Sequence, residues 1–191
     1  TTPDLEPRLG MAASLIAHDY IKEAQPVLHD ALTHAPEDGR AHAAMGEVLL
    51  KLGEPAQALA HLERADASDG LAQSHRGVAL FSLGRPAEAM QHLEEGARLS
   101  PALAITWLNW GVGLLKRSQP QASAQKLERA LELEPDNLNA QVQLARAYVA
   151  GRRRDDARTI VSKLQARGIS AALPEELQGL LELDVVSADK K

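Results

Sequence analysis

The seven histidines are the residues with the widest chemical repertoire in this sequence, and their spacing limits what they can do. His29 and His34 are five apart, which turns them to different faces of a helix and makes them poor joint metal ligands. His61 and His92 stand at the same place in two successive repeats and read as an echo on a solvated face. Cysteine is absent, so thiol nucleophiles, thiolate zinc sites and iron–sulfur clusters are excluded. Serines and carboxylates are present, but not in a Gly-x-Ser-x-Gly elbow, a phosphate-binding glycine loop, a His-Glu-x-x-His helix or an EF-hand loop. The run Arg152-Arg153-Arg154-Asp155-Asp156 passes from basic to acidic within five residues. It reads as a solvated turn between helices, with a phosphate or acidic-partner contact as the alternative. No catalytic residue, metal ligand or cofactor is expected from this inventory.

The elements behind these residues are helical. The chain has 191 residues, 45% apolar and 25% charged, with aromatics at only 3%. A core with so few rings is built from Ala and Leu, which favours helices over sheets. Lys and Arg number 21 against 26 Asp and Glu, a net charge of −5, so nucleic acid has no electrostatic footprint here. No apolar run approaches the ~18 to 20 residues needed to span a bilayer, so direct membrane insertion is not expected. The sequence opens on Thr1 rather than Met; the expectation is that a leading segment has been trimmed, and any targeting signal with it.

A repeat organises the chain. From Gly46, the residues Gly53, Pro55, Ala58, Leu62 and Ala65 lie at offsets 7, 9, 12, 16 and 19. The same offsets from Gly77 give Gly84, Pro86, Ala89, Leu93 and Gly96, and from Gly111 they give Ser118, Pro120, Ser123, Leu127 and Ala130. Weaker copies start at Ala12 and Ala145, so the anchors are separated by 34, 31, 34 and 34 residues. Each copy predicts two helices. Gly84 supplies a left-handed residue to end one, Pro86 opens the next, and Pro101 closes it. Gly77 and Ala89 let the two backbones approach while Leu80 and Leu93 fill the space around them. The copy anchored at Gly46 is three residues short, in Asp66-Ala67-Ser68-Asp69-Gly70, so its second helix should end early. Beyond Gly168, Leu173-Pro174-Glu175-Glu176-Leu177 predicts a capping helix over 173–186, with 187–191 fraying.

This pattern resembles the tetratricopeptide repeat, a helix–turn–helix unit of 34 residues. In 104–137, Trp107, Trp110-Gly111, Leu114, Leu127, Ala130 and Pro135 match the family's Trp, Leu-Gly, Tyr, aromatic, Ala and Pro positions. Departures are Ser123 for the usual Ala, and Arg152 for the usual turn Gly with Gly151 one place early. The resemblance implies an all-α, right-handed solenoid of about eleven helices, one array over 1–191 with repeats at about 5–38, 39–69, 70–103, 104–137 and 138–168.

It also implies a concave groove lined by the first helix of each repeat. The residues expected to meet a partner there are Leu50, His75, Val78, Phe81, Leu108, Asn109, Val112, Leu115, Val142, Gln143 and Arg146. Phe81, Leu108, Val112 and Val142 are expected to form an apolar strip, flanked by Asn109, Gln143 and Arg146. The family's carboxylate clamp is absent: its places hold Leu9, Ala13, Ala44, Leu71 and His75, or Ser74, Val78, Asn109, Asn139 and Gln143 in the other register. What remains is a non-enzymatic interaction module that takes an apolar or amphipathic segment of a partner protein, without cofactor or metal. High Ala and Arg with no Cys suggest a bacterial protein of the envelope assembly or secretion kind, in cytoplasm or periplasm with the periplasm favoured. An accessory domain of a larger enzyme or membrane protein, and a self-associating scaffold, are the alternatives.

Overall fold

The computed structural model describes residues 5–169 and 173–180. Helices occupy Leu5–Ala17 (α1), Ile21–His34 (α2), Gly39–Lys51 (α3), Pro55–Leu62 (α4), Gly70–Ser82 (α5), Pro86–Leu99 (α6), Ala104–Lys116 (α7), Pro120–Leu133 (α8), Leu138–Ala150 (α9) and Arg154–Ala166 (α10). Residues 175–180 are also helical, and no strand occurs among the described residues. The chain divides into two compact units, 1–101 and 102–191. In the first, α1–α2, α3–α4 and α5–α6 are hairpins and α1, α3 and α5 touch in succession; in the second, α7–α8 and α9–α10 are hairpins and α7 touches α9. This is the all-α, paired-helix class expected.

Repetition of capping chemistry explains the repetition of helices. Three first helices, α3, α5 and α9, start on Asx caps: the Asp38 and Asp69 carboxylates each accept two backbone N–H groups, and the Asn137 side chain accepts that of Ala140. Pro55, Pro86 and Pro120 open α4, α6 and α8, where a missing N–H costs nothing. α4 has 8 residues against 14 in α6 and α8, as the shortened repeat requires. The Arg76 guanidinium covers the early end, donating to the carbonyls of Leu62 at 2.6 Å and Ala65 at 3.3 Å.

The offset-7 turn residue is left-handed in all five repeats: Asp19 (φ 61), Gly53 (φ 80), Gly84 (φ 73), Ser118 (φ 57) and Arg152 (φ 62). In the fifth repeat Arg152 itself takes that conformation, whereas Gly151 lies at φ −82. The geometry of the turn is fixed by its place in the hairpin, and the neighbouring glycine does not move it. Ser118→Gly and Arg152→Gly should therefore each stabilise the fold by about 1 kcal/mol, read as a rise in denaturation midpoint. Gly53→Ala should lower it by a comparable amount.

The small anchors face the second helix of their own repeat. A methyl group on Gly77 would sit 2.5 Å from Leu93 Cγ, and on Gly111 2.6 Å from Leu127 Cγ. Ala12 and Ala145 are fully buried. Ser123, the departure from Ala, donates its hydroxyl to the Gly111 carbonyl at 2.7 Å, so the polar atom is satisfied inside the contact. Leu173, Leu177 and Leu180 join the core built from α7 to α10. The remainder of the expected cap, 181–186, and residues 187–191 lie outside the described residues.

Candidate functional site

The first-helix faces of the two units differ in how much they leave open. In the N-terminal unit a cleft of about 510 Å³ separates α1 from α3, lined by Glu6, Leu9, Ala13, Ile16, Ala17, Arg40, Ala44 and Glu47. Alanine at 13 and 44 leaves the space that larger side chains would fill. Glu47 is half-buried there, and burial pushes its carboxyl above the usual range, with Lys51 opposing. Leu50, His75, Val78 and Phe81 are half-buried on α3 and α5, with Leu50 and Phe81 packed against the unit's core. Burial lowers His75 to about 4, Asp69 opposing and Lys51 adding to the shift.

In the C-terminal unit the expected strip divides. Leu108 is 2% exposed and packs in one cluster with Leu127, Leu144 and Tyr148. It is core rather than groove, because it belongs to the buried cluster that α8, α9 and α10 build beside α7. Val112, Leu115 and Val142 are half-buried at the edge of the same cluster. The flanking polar residues are already bonded to one another. Gln143 donates to Asn139 Oδ1 at 3.3 Å, Arg146 donates to Gln143 Oε1 at 3.4 Å, and Arg146 Nε meets Glu176 Oε1 at 3.0 Å. Asn109 is half-buried. A partner of Arg146 would have to share it with the capping segment.

A second polar series runs through the repeats and was not legible as such. Four places before the anchor stand His42, Gln73 and Gln141, and each reaches a carbonyl six residues back: His42 Nε2 to Pro36 at 3.0 Å, Gln73 Nε2 to Ala67 at 2.8 Å and Gln141 Nε2 to Pro135 at 2.7 Å. A carbonyl only accepts, so these contacts fix the donors. In the tautomer that carries its proton on Nε2, the His42 ring has a bare Nδ1, which accepts from His61 Nδ1 at 2.9 Å; Gln73 Oε1 accepts from His92 Nδ1 at 2.8 Å. The two histidines read as solvated echoes are thus half-buried and hydrogen-bonded to their own repeats. The signal was in the sequence, since the positions 42 and 61, and 73 and 92, are the same pair one repeat apart.

Burial lowers His61, with His42 and Arg64 adding, and lowers His92, with Arg76 adding and Glu88 opposing. All three shifted rings are neutral in the fold, whereas the unfolded chain takes protons near pH 6.5. Stability is therefore full above that value and falls with acidification until His75 protonates at about 4. The raised Glu47 works in the opposite direction in the carboxylate range and offsets part of the loss. Thermal melts from pH 7.5 to 4.5 should show a falling midpoint, with His75 contributing up to about 3 kcal/mol. His75→Gln should flatten the profile; an unchanged slope would contradict a ring held neutral by the fold.

The Arg152–Asp156 run is organised by its own charges. Arg153 stacks over the Tyr148 ring at 4.2 Å and pairs with Asp156 at 2.7 Å, while Arg158 pairs with Asp155 at 3.3 Å. Among the described residues, no group of three or more His, Cys, Asp or Glu could hold a metal ion, and no helix is long and apolar enough to cross a membrane.

A family model for the tetratricopeptide repeat matches residues 15–80 and 114–168, and a second such model matches 70–95. The chain belongs to the tetratricopeptide repeat family. No curated relative matches it. Among solved structures it is similar to a thermophilic TPR protein of Thermus thermophilus (TM-score 0.77, 21% identity, 93% of this chain and 98% of that one). It is also similar to PilW, a type IV pilus biogenesis factor (0.77, 20%, 95% and 88%), and to YrrB, a TPR protein with an unusual peptide-binding site (0.61, 18%, 93% and 90%). At these identities the likeness is one of fold. A TPR fold is that of a protein–protein interaction scaffold, and repeats of this family are generally non-catalytic interaction modules that take protein or peptide partners.

Proposed function

We propose that this chain is a non-enzymatic module that holds an apolar or amphipathic segment of a partner protein against the faces of its first helices. The cleft between α1 and α3 carries this reading: Leu9, Ala13, Ile16 and Ala44 form an incompletely covered apolar wall, with the Glu47 carboxyl set into it. An open apolar wall of this kind gains free energy when a ligand's side chains displace water from it. One polar group within it fixes orientation and register. Half-buried Leu50, Val78 and Phe81, with His75, extend the surface in the N-terminal unit, and Val112, Leu115 and Val142, with Asn109, Gln143 and Arg146, do so in the C-terminal one. Leu108 supports that face from beneath. The organisation of 1–191 as a single array is part of this proposal. So is a context in bacterial envelope assembly or secretion, which the likeness to a pilus biogenesis factor supports.

Site-specific photo-cross-linking in the source cell tests the reading. A benzophenone side chain at position 13 or 44 should trap one partner, whereas the same group at exposed Gln91 or Gln125 on second helices should not. Equal trapping from both sides would overturn it.

A further inference from the structure

The place directly after the anchor holds Ala13, Glu47, Val78, Val112 and Arg146 in the five repeats, so it is charged twice. The two charges are met differently. Arg146 is answered by its own chain: the helical segment 175–180 buries Leu177 and Leu180 in the core of the C-terminal unit and sets Glu176 Oε1 3.0 Å from Arg146 Nε. Glu47 is half-buried in the wall of the cleft between α1 and α3, and it has no hydrogen bond or ion pair among the described residues.

Ion pairs cross this cleft on either side of Glu47. Arg40 reaches Glu6 at 2.7 Å at one end, and Lys51 reaches Asp19, just beyond α1, at 3.7 Å at the other. Between them, the α1 residue at the same place in its repeat as Glu47 is Ala13, 34 positions earlier, which offers no cation. Lys51 acts on Glu47 from one turn along α3 but is turned to Asp19, and Arg40 is held by Asp38 as well as by Glu6. His75 on α5 is neutral. The Glu47 carboxylate therefore depends on the water that still reaches it. A segment laid over Leu9, Ala13, Ile16 and Ala44 strips that water away, and a carboxylate buried without a counter-charge is strongly disfavoured.

We propose that the partner segment held in this cleft carries a lysine or arginine among its apolar side chains, and that this cation pairs with Glu47 in the space over Ala13. The inference rests on the cleft being the partner-binding wall proposed above and adds the charge of its occupant. The chain's own segment 173–180 follows the same rule with the charges reversed: leucines enter the core and one acid meets the cation of a first helix. Apolar contact supplies the binding and the cation sets the register. An apolar segment without it leaves Glu47 buried and unpaired or forces it to take up a proton, and an acidic segment is repelled.

Titration of the full chain at pH 7 with four peptides, acetyl-Ser-Leu-X-Leu-Ser-amide in which X is lysine, glutamine, norleucine or glutamate, followed by ¹H–¹⁵N spectra, tests this. The lysine peptide should shift the backbone amides of α1 and α3 and bind at least tenfold more tightly than the glutamine and norleucine peptides, with the glutamate peptide weakest. By linkage, the Glu47 carboxyl carbon should titrate about one pH unit lower with the lysine peptide bound, and higher with the norleucine peptide. Glu47→Gln should remove the preference for lysine and leave norleucine binding intact. Ala13→Lys, at an exposed position, supplies the cation from α1; it should lower the Glu47 titration in the free protein and remove the preference as well. Equal affinity for lysine and glutamine would mean that a neutral donor suffices. A lysine preference that survives Glu47→Gln would be general attraction to an acidic protein, and a Glu47 titration unmoved by the lysine peptide would mean that Lys51 or water already serves it. Each of these overturns the cation while leaving the apolar cleft in place. Shifts confined to the C-terminal unit, or no binding by any of the four peptides, would overturn the cleft reading and this inference with it.

Discussion

Leu108→Asp should unfold the C-terminal unit rather than silence a binding surface. At 2% exposure Leu108 touches the core that includes Leu127, Leu144 and Tyr148, so the variant loses the transfer energy of a leucine and buries a carboxylate with no cation in that apolar cluster. Together these cost about 4 kcal/mol or more, a large part of the net stability of a unit of this size. The protein's two tryptophans, Trp107 and Trp110, both lie in α7, so their emission reports on this unit directly. It should shift to that of solvent-exposed indole at a denaturant concentration where the wild type is folded. Val112→Asp, on the half-buried edge of the same helix, should keep the native emission and a midpoint close to wild type. Similar midpoints for the two variants would mean that Leu108 is a surface residue after all.

Gly111→Leu should be the other strongly destabilising change. The added Cβ alone would fall 2.6 Å from Leu127 Cγ, 2.9 Å from its Cδ2 and 3.3 Å from the Ser123 carbonyl oxygen. Leu127 is fully buried and cannot swing away. Parting of α7 from α8 also stretches the Ser123–Gly111 hydrogen bond of 2.7 Å. Overpacking of this kind costs about 3 kcal/mol, partly offset by about 1 kcal/mol gained in helix propensity over glycine. Arg153→Ala, which gives up a stack on Tyr148 and an exposed ion pair with Asp156, should cost about 1 kcal/mol or less. Chemical denaturation monitored by tryptophan emission orders the two; an equal loss would contradict the packing of the hairpin.

The helices, their pairing into hairpins and the short α4 were legible in the sequence because each depends on residues close to one another in the chain. Asp38, Asp69 and Asn137 cap helices within three residues of themselves. The offset-7 turn closes through backbone bonds such as Gln119 N–H to the Leu114 carbonyl at 3.0 Å. Gly111 and Leu127 meet at a fixed spacing that recurs from repeat to repeat. Such contacts write a period into the sequence, and the period can be counted.

Tertiary structure alone decided which first-helix residues are surface. Leu108 and Val112 have the same character and lie one helical turn apart. Yet the first is buried in a cluster shared with other helices and the second stays at its edge, and no local pattern encodes the reach of a neighbouring repeat. Arg146 is claimed by Glu176, thirty residues away in the chain. Lys51 stands one turn from Glu47 on the same helix, yet it turns to Asp19 at 3.7 Å and leaves that carboxyl without an ion pair among the described residues. Sequence fixes what a residue can offer and the face of its own helix on which it stands. Whether that offer is taken up depends on side chains brought in from other helices, whose distances are set by packing rather than by spacing along the chain.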